Sequence, residues 1–259
     1  MIDFFKILLL CLFLSACTTT TKAPTLVERP KLVSVSFTEL KKLRPPQRKP
    51  SVAVYDFPDL TGQKKEVGGS ASFSNAVTQG GTPILIDALK NAGDGKWFTV
   101  VERNRIDDLA KERQIVRQTR DEYQGTETNK LEPMIFAGII LQGGIVGYDT
   151  NILSGGLGAR YLGIGADTQY RRDQVVVALR AVSTNTGEVL LNVQVSKTIL
   201  SYGTDFTLFK FMDVGTQLIE SEAGITENEA NTIAVKICIE AAVVELIKQG
   251  INKGYWSYK

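Results

Sequence analysis

Apolar residues recur along this chain at two spacings, one typical of strands and the other of helices. Short runs rich in β-branched residues predict strands at 51–57, 97–101 and 139–148. Apolar residues at helical spacing predict one helix that begins at Pro83 and a second over about 105–118. The second helix is expected to face the core with Ile106, Leu109, Ile115 and Val116. Strands and helices in this alternation predict an α/β fold, an open sheet with packed helices.

A long hairpin and a C-terminal helix complete this predicted scaffold. Residues 174–183 and 189–198 predict two long strands that form a hairpin, and Gly187 supplies the positive φ of the turn between them. A Thr-x-x-Glu capping box at Thr226 opens the last helix, and Gly250 is expected to end it. The apolar face of this helix is predicted to comprise Ile233, Ile237, Ala241, Val244 and Ile247.

Two segments, 152–172 and 202–222, do not fit this scaffold. Each has the length of two membrane strands of ~10 residues joined by a turn, and neither is apolar over the ~18 residues that a membrane helix needs. The second alternates in part and could turn at 213–215. Two hypotheses remain open, transmembrane hairpins or soluble arms that extend the sheet. The candidate membrane-strand residues are Leu157, Tyr161, Leu162, Ile164, Phe206, Leu208, Phe209 and Phe211.

The first residues have the features of a secretory signal. Residues 1–16 combine Lys6, an apolar run and the small pair Ser15-Ala16, and Cys17 follows directly. This ending resembles the lipobox of bacterial lipoproteins, in which Cys17 receives a diacylglycerol; the alternative is an ordinary signal peptide. Thr18 is not the Asp that usually retains such proteins in the inner membrane, so the resemblance favours the outer membrane.

A proline-rich and basic stretch follows the proposed lipidation site. Five of the chain's eight prolines lie between Thr18 and Pro50. Such a stretch cannot bury enough apolar surface to fold alone, so we expect residues 17–50 to form an extended tether. Its positive charge suits anionic lipid headgroups, although a plain solvated linker is equally consistent with it.

Composition excludes several functional classes. The chain is 43% apolar and 22% charged, which is typical of a globular protein. Its formal net charge is only +2, so it lacks the strong positive charge that would indicate nucleic-acid binding. It has no histidine, which excludes His-based general-base catalysis and most zinc hydrolase sites. We predict no enzyme, no metal site and no cofactor. After cleavage and lipidation Cys238 would be the one free thiol, a small buried residue.

A glycine-rich run at 155–165 invites comparison with the dinucleotide-binding fingerprint. That fingerprint needs a strand before it, a helix after it and an acidic residue ~20 residues further on. Residues 160–170 have no helical apolar periodicity, and another strand follows. Nucleotide binding is therefore not favoured.

The same glycine-rich run, 155–170, resembles the signature of the CsgG family, the curli production lipoproteins that form the curli secretion channel. Further matching positions occur throughout the chain, from the lipobox to Trp256. They include 54–55, 61–63, 97–98, 102–103, 112–113, 183–188 and 196–202.

This resemblance implies a fold and a function. Hairpins 152–172 and 202–222 of each protomer would join one shared transmembrane β-barrel, in a ring that is nonameric in the family. Residues 51–151, 173–201 and 223–259 would form the periplasmic α/β domain. The channel would pass unfolded curli subunits by diffusion without ATP, with periplasmic and surface accessory proteins as further partners and outer-membrane lipid around it. The alternative function is a periplasmic lipoprotein that binds envelope components without a pore.

The resemblance also implies a constriction loop at 64–76. Phe73 matches the phenylalanine that the family projects into the pore, and Ser72 stands where the family has an asparagine. The family's tyrosine has no counterpart, since Val67 and Gly68 occupy that neighbourhood. The alternative for Phe73 is a loop aromatic that packs into the protein's own core.

Overall fold

A computed structural model describes residues 37–67, 70–124, 131–155, 168–204, 208–213 and 227–259. The helices are α1 (Thr38–Lys42), α2 (Gly81–Asn91), α3 (Ile106–Gln124) and α4 (Glu227–Asn252). The strands are β1 (Ser51–Val54), β2 (Lys64–Val67), β3 (Ser70–Asn75), β4 (Thr99–Glu102), β5 (Ile139–Gly155), β6 (Thr168–Ser183), β7 (Val189–Thr204) and β8 (Leu208–Asp213).

Six of these strands form one mixed sheet. Their order is β4-β1-β5-β6-β7-β8, and β2 pairs only with β3 in a separate hairpin. Strand β1 is parallel to both β4 and β5, whereas β5 to β8 follow one another as antiparallel neighbours. The predicted α/β sheet with packed helices is therefore confirmed, and the turn glycine Gly187 has the expected positive φ of 72°.

The core lies on one face of this sheet. Along β6, Val175, Val177, Leu179 and Ala181 are buried, whereas the residues between them are partly or fully exposed. Helix α4 packs on β6 and β7 and covers this face, and α2 packs against α4, β4 and β1. Each fully buried Val or Leu contributes roughly 1.5–3 kcal/mol, so this single cluster supplies most of the stability of the described fold.

Helix α4 buries a broader face than the sequence predicts. Its buried apolar residues are Ala234, Val235, Cys238, Ile239, Ala242, Val243, Val244, Leu246 and Ile247. Of the five residues expected on this face, only Val244 and Ile247 are fully buried; Ile237 and Ala241 are half-buried, and Ile233 is 49% exposed. Helix α4 is covered from two sides, by the sheet and by α2, and so it needs a wider apolar surface than a helix at the edge of a core.

The end of α4 also differs from the prediction. The helix continues through Gly250 to Asn252, and the residue with positive φ is Gly254, at 76°. The Tyr255 N–H donates to the Gly250 carbonyl at 2.9 Å, and the Gly254 N–H donates to Ile251 at 3.0 Å, which is a Schellman motif. Gly250 has another role, because a Cβ there would lie 2.0 Å from Cζ2 of Trp256. The predicted cap residue Thr226 lies outside the described residues.

Helix α3 does not bury the face that was expected to point inward. It extends to Gln124 rather than 118, and none of its described side chains is fully buried. Ile115 is 46% exposed, and the helix is tied to the following segment by the Arg113 guanidinium, which donates to the Glu132 carbonyl at 2.6 Å. The apolar positions of α3 thus form a shallow surface stripe and not part of the core.

Residues 37–50 correct the expectation of an extended tether. Helix α1 places Leu40 in the core with 0% exposure, and the Phe37 N–H donates to Oε2 of Glu240 at 2.6 Å. Glu39 and Lys248 form an ion pair at 3.0 Å. This part of the segment is therefore packed against α4. It could not be predicted from its composition, because its stability comes from α4 and not from the segment itself.

Strand boundaries differ from the sequence prediction mainly in length. Strands β5, β6 and β7 are longer than the predicted strands, by seven residues at the end of β5, six at the start of β6 and six at the end of β7. Strand β1 ends at Val54, and β4 begins at Thr99 because Trp97 and Phe98 turn into the core.

Candidate functional site

The expected constriction segment 64–76 is a β-hairpin. Strands β2 and β3 pair Glu66 with Ala71 and Val67 with Ser70, and the register shifts between Lys64 and Glu66. Val67 is the last residue of β2, and both Ser72 and Phe73 lie on β3. Gly68 lies outside the described residues. The hairpin thus contains three of the four predicted constriction residues, and their role in a constriction stays a prediction.

The root of this hairpin is attached directly to strand β5. The Leu60 N–H donates to the Ile145 carbonyl at 2.9 Å, and the Ile145 N–H donates to Pro58 at 3.0 Å. These two bonds make Asp59 a parallel bridge partner of Ile145. Since both bonds lie on one residue of β5, the chain that enters the hairpin has a fixed starting point on the sheet.

Polar side chains fix the same root from the other side. The Asp59 carboxylate accepts hydrogen bonds from the Thr61 N–H at 2.9 Å, from the Thr61 hydroxyl at 2.6 Å and from the Gln79 amide at 2.9 Å. Gln79 comes just after β3, so one carboxylate joins the two ends of the hairpin. The Ala76 N–H closes the same base by donating to the Gln63 carbonyl at 3.0 Å.

Beyond the part of the sheet that α4 covers, strands β5 to β8 continue as a paired four-stranded extension. One row of this extension pairs Leu153 with Tyr170, Tyr170 with Tyr202 and Tyr202 with Lys210. Strand β5 pairs with β6 as far as Gly155 and Thr168. Within the described residues, these paired strands therefore extend into both segments that the sequence sets apart, 152–172 and 202–222.

The register places a reversal of the chain before β8. Asp213 pairs with Ile199 and Leu208 pairs with Thr204, so the chain reverses between Thr204 and Leu208. The turn predicted at 213–215 falls at the end of β8 and on residues outside the described ranges, so it stays a prediction. The signal that could have shown this is the continued strand character of 199–204, which leaves only three residues for the connection.

The remaining predicted membrane residues divide between the described extension and the rest of the chain. Leu208, Phe209 and Phe211 lie on β8. Phe206, in the connection before β8, lies outside the described residues, as do Leu157, Tyr161, Leu162 and Ile164 of the first segment. Cys17 also lies outside them, so lipidation stays a prediction.

A polar concavity on the open face of the sheet, beside the hairpin root, was not predicted from the sequence. It has a volume of about 500 Å³. We name it the sheet-face concavity; it is lined by Tyr55, Asp56, Pro58, Leu60, Gln142, Gly143, Val146, Ala178, Arg180, Asn192 and Gln194. The available signal was the polar parity of β7, where Asn192, Gln194 and Ser196 alternate with buried or half-buried residues.

The thiol of Cys238 is buried and chemically protected. Its side chain is 0% exposed, and burial raises its pKa from 9.0 to about 12, an effect that the positive charge of Lys197 partly offsets. A thiol with so high a pKa is almost entirely protonated at neutral pH, and the protonated form is a poor nucleophile. Cys238 therefore behaves as a packing residue of α4, as the sequence predicted.

Two charged side chains of α4 itself, Lys236 and Glu240, are also buried. Glu240 is 0% exposed and accepts the Phe37 N–H described above, and its other oxygen lies 3.8 Å from Nζ of Lys236. Within the described residues, no group of three or more His, Cys, Asp or Glu side chains could hold a metal ion. The helices of the described ranges include none with the length and apolar character to cross a membrane.

Comparisons with known proteins match almost the whole chain. The family model of the curli production assembly/transport component CsgG matches residues 33–259. The protein of that name from Salmonella typhimurium is 41% identical over 256 residues, covering 96% of this chain and 89% of the relative. Its namesake from Escherichia coli K12 is 41% identical over 254 residues with the same coverage. A Citrobacter koseri relative is 42% identical over 235 residues, covering 90% of this chain and 82% of its own length.

Proposed function

Because the chain belongs to the CsgG family of curli production assembly/transport components, we propose that it forms an oligomeric secretion channel in the outer membrane. The channel passes unfolded curli subunits by diffusion and uses no ATP. Family membership makes the protein a curli production and transport component, and the proposal gives it no catalytic role. Periplasmic and surface accessory proteins of the curli system are its further partners.

The observation that carries this proposal is the four-stranded extension of β5 to β8. Past the bridge at Ile145, β5 has no partner on its outer side among the described residues, and β8 is the last strand of the sheet. A sheet that leaves the core with two free edges exposes rows of unpaired backbone groups. Pairing of β8 with β5 of the next copy would satisfy both edges.

Four strands are too few to close a membrane barrel, which needs at least about eight. The extension therefore supports a ring of identical copies, each of which contributes its four strands to one wall. The family resemblance gives nine copies. In this arrangement the part of the sheet under α4 lies in the periplasm, and lipid on Cys17 anchors each copy to the outer membrane.

The β2–β3 hairpin supplies the constriction of this channel. It is rooted on β5 at Ile145, the strand that continues into the extension. One Phe73 from each copy would form an apolar collar that narrows and partly dewets the lumen. Ser72, Val67 and Gly68 are its neighbours in the loop. Because the family's tyrosine has no counterpart here, Phe73 would be the main determinant of the width of the constriction.

The experiment measures oligomeric state in detergent and conductance in planar bilayers, for the wild type and for Phe73→Ala. We expect SDS-resistant rings that conduct, and a higher single-channel conductance for Phe73→Ala because the collar loses its bulk. Phe73→Leu, which keeps an apolar side chain, serves as the matched control and should change conductance less.

Other outcomes contradict specific parts of the proposal. A wild-type monomer without conductance would contradict the channel and favour the periplasmic module that binds envelope components. Conducting rings whose Phe73→Ala variant has unchanged conductance and a lower melting temperature would place Phe73 in a core. In that case the free energy of unfolding would fall by ~3–5 kcal/mol per chain.

A further inference from the structure

The sheet-face concavity lies on the side of the sheet that α4 leaves uncovered. It is lined by alternate residues of β6 and β7 and by Gln142, Gly143 and Val146 of β5, and the chain that leads from β1 to the hairpin root forms its wall. We propose that this concavity binds an extended segment of the unfolded polypeptide that the channel transports. The inference rests on the proposed function, because the occupant is the transported chain.

The polar side chains of the concavity suit a peptide backbone. Gln142, Asn192 and Gln194 each carry an amide, which can donate and accept hydrogen bonds just as a peptide group does. The Arg180 guanidinium donates to Oε1 of Gln142 at 2.9 and 3.3 Å, which orients its planar group along the floor. Together these groups offer donors and acceptors to a chain that has no secondary structure of its own to satisfy them.

The charges of the concavity argue against an anionic ligand. Arg180 is its one cation and Asp56 its one carboxylate, so the lining has no formal net charge. The Asp56 carboxylate also accepts hydrogen bonds from the Phe57 N–H at 2.9 Å and from the Thr82 hydroxyl at 3.1 Å, which hold it in place. A phosphate or a nucleic acid would need an excess of cations, whereas a neutral polypeptide segment needs none.

Apolar side chains along one wall complete the match. Tyr55 is 44% exposed, Leu60 is 62% exposed and Val146 is 41% exposed. Such side chains would cover the apolar side chains of a bound segment, while the amides across the floor contact its backbone. A lining that mixes apolar and amide groups in this way recognises a polypeptide in general and not one sequence.

The location connects the concavity to the transport path. Leu60 lies four residues before β2, and its N–H holds the chain to Ile145 of β5. If the β2–β3 hairpin forms the constriction, a chain held in the concavity lies beside its root. Binding there would keep the segment extended before it reaches the narrowest point.

The test is the affinity for a curli subunit that has been unfolded in urea, labelled with a fluorophore and diluted into the wild-type ring in detergent. Fluorescence anisotropy then compares the wild type with the double variant Arg180→Ser/Gln194→Ala. We expect roughly tenfold weaker binding, since several hydrogen bonds to the segment are lost.

The matched control is Lys90→Ser/Ser196→Ala. It also removes one exposed cation and one exposed polar group of β7, but neither residue lines the concavity. Its affinity should stay within roughly twofold of the wild type. Equal loss in both double variants, or no loss in either, would overturn the proposal.

A second measurement keeps the proposal testable if the Arg180 variant folds poorly. Gln194→Cys should form a disulfide with a cysteine placed in the unfolded subunit, whereas Lys90→Cys on α2 should not; equal yields would overturn the proposal. Conductance of the wild type in planar bilayers separates the two levels of inference. The proposal for the concavity alone would be contradicted if the rings conduct, the Arg180→Ser/Gln194→Ala variant binds the subunit like the wild type, and Gln194→Cys and Lys90→Cys give equal cross-linking. Rings without conductance would contradict the channel itself.

Discussion

Strands β5, β6 and β7 run through two regions that differ in what covers them, and β8 pairs only with the outer part of β7. In the first region α4 packs on β6 and β7, and the buried residues include Val177, Leu179 and Val193. The second region begins where Asp149, Thr150 and Arg172 are exposed, and the described strands there pair with one another. The two regions share strands β5 to β7 but not a source of stability, and the register of β5 against β6 shifts between them, at Ile145 and Gly147.

This contrast shows how one sheet can serve two environments. In the covered region, burial of alternate side chains under α4 stabilises the strands within a single chain. In the extension, a single copy leaves both outer edges without partners among the described residues, and in the proposed ring neighbouring copies and lipid would stabilise these strands. The covered region should therefore fold in a monomer, while the extension should depend on assembly.

The largest expected effect is on the covered region, in the variant Trp97→Ala. Trp97 is 0% exposed, its ring contacts Phe98, Trp256 and Tyr258, and its Nε1–H donates to the Arg44 carbonyl at 2.8 Å. Its truncation should lower the free energy of unfolding by ~3–5 kcal/mol, measured by urea unfolding of the detergent-solubilised protein.

Tyr255→Ala is the matched control for this aromatic cluster. Tyr255 is 42% exposed, and its ring lies against that of Trp256 at the rim of the cluster, so we expect a loss below ~1 kcal/mol. Equal losses for the two variants would mean that the covered region does not depend on this cluster.

The next effect should distinguish the two faces of the extension. Leu208 and Phe209 are consecutive residues of β8, paired with Thr204 and Gly203, and so they fall on opposite faces of the sheet. An arginine on the lipid-facing side of a membrane strand costs ~2–4 kcal/mol, whereas one that faces a wet lumen costs little. One of Leu208→Arg and Phe209→Arg should therefore prevent membrane assembly, and the other should assemble normally.

Outer-membrane fractionation measures whether each variant reaches the membrane, and native gels measure whether it assembles into rings. If both variants assemble like the wild type, β8 lies in water on both faces and the extension is a soluble arm. Phe206→Arg, in the connection between the paired strands, is a third position to measure beside them. The free energy of unfolding of the covered region, measured in urea, should be the same in each variant as in the wild type.

The smallest effect concerns pH and belongs to the covered region alone. In the folded protein the pKa of Cys238 is about 12, against an ordinary value of 9.0. Between these two values the unfolded thiol loses its proton while the folded thiol keeps it, so this group makes stability fall as pH rises above 9. From pH 8 to pH 10 the loss should be about 1 kcal/mol, and Cys238→Ala should remove that part of the pH dependence. An identical pH dependence in the variant would show that the thiol ionises equally in both states.

The covered region was the part that sequence could predict best. The long apolar and β-branched run between Gln174 and Ser183 and the turn glycine Gly187 identified β6 and its neighbour β7. The ends of these strands could not be predicted in the same way. Residues such as Tyr170 and Arg171 belong to no such run, and only their pairing with β5 and β7 keeps them in strands.

Other features depended on contacts between distant residues and gave no local signal. Gly250 was predicted to end the last helix, but it lies within α4. A glycine is needed there because the ring of Trp256 occupies the space that a side chain would take. Helix α1 was predicted to be part of a linker. Its own sequence does not reveal that Leu40 is buried, because that burial depends on contact with α4. The candidate constriction residues came from the family resemblance, while the sheet-face concavity required three strands and a loop to be brought together.

The attachment of the hairpin root to Ile145 has a mechanical consequence. Two backbone hydrogen bonds join residues 58 and 60 to one residue of β5, and the register of β5 against β6 shifts between Ile145 and Gly147. A displacement of β5 at Ile145 would therefore carry residues 58 and 60 with it, and so would move the base of the β2–β3 hairpin.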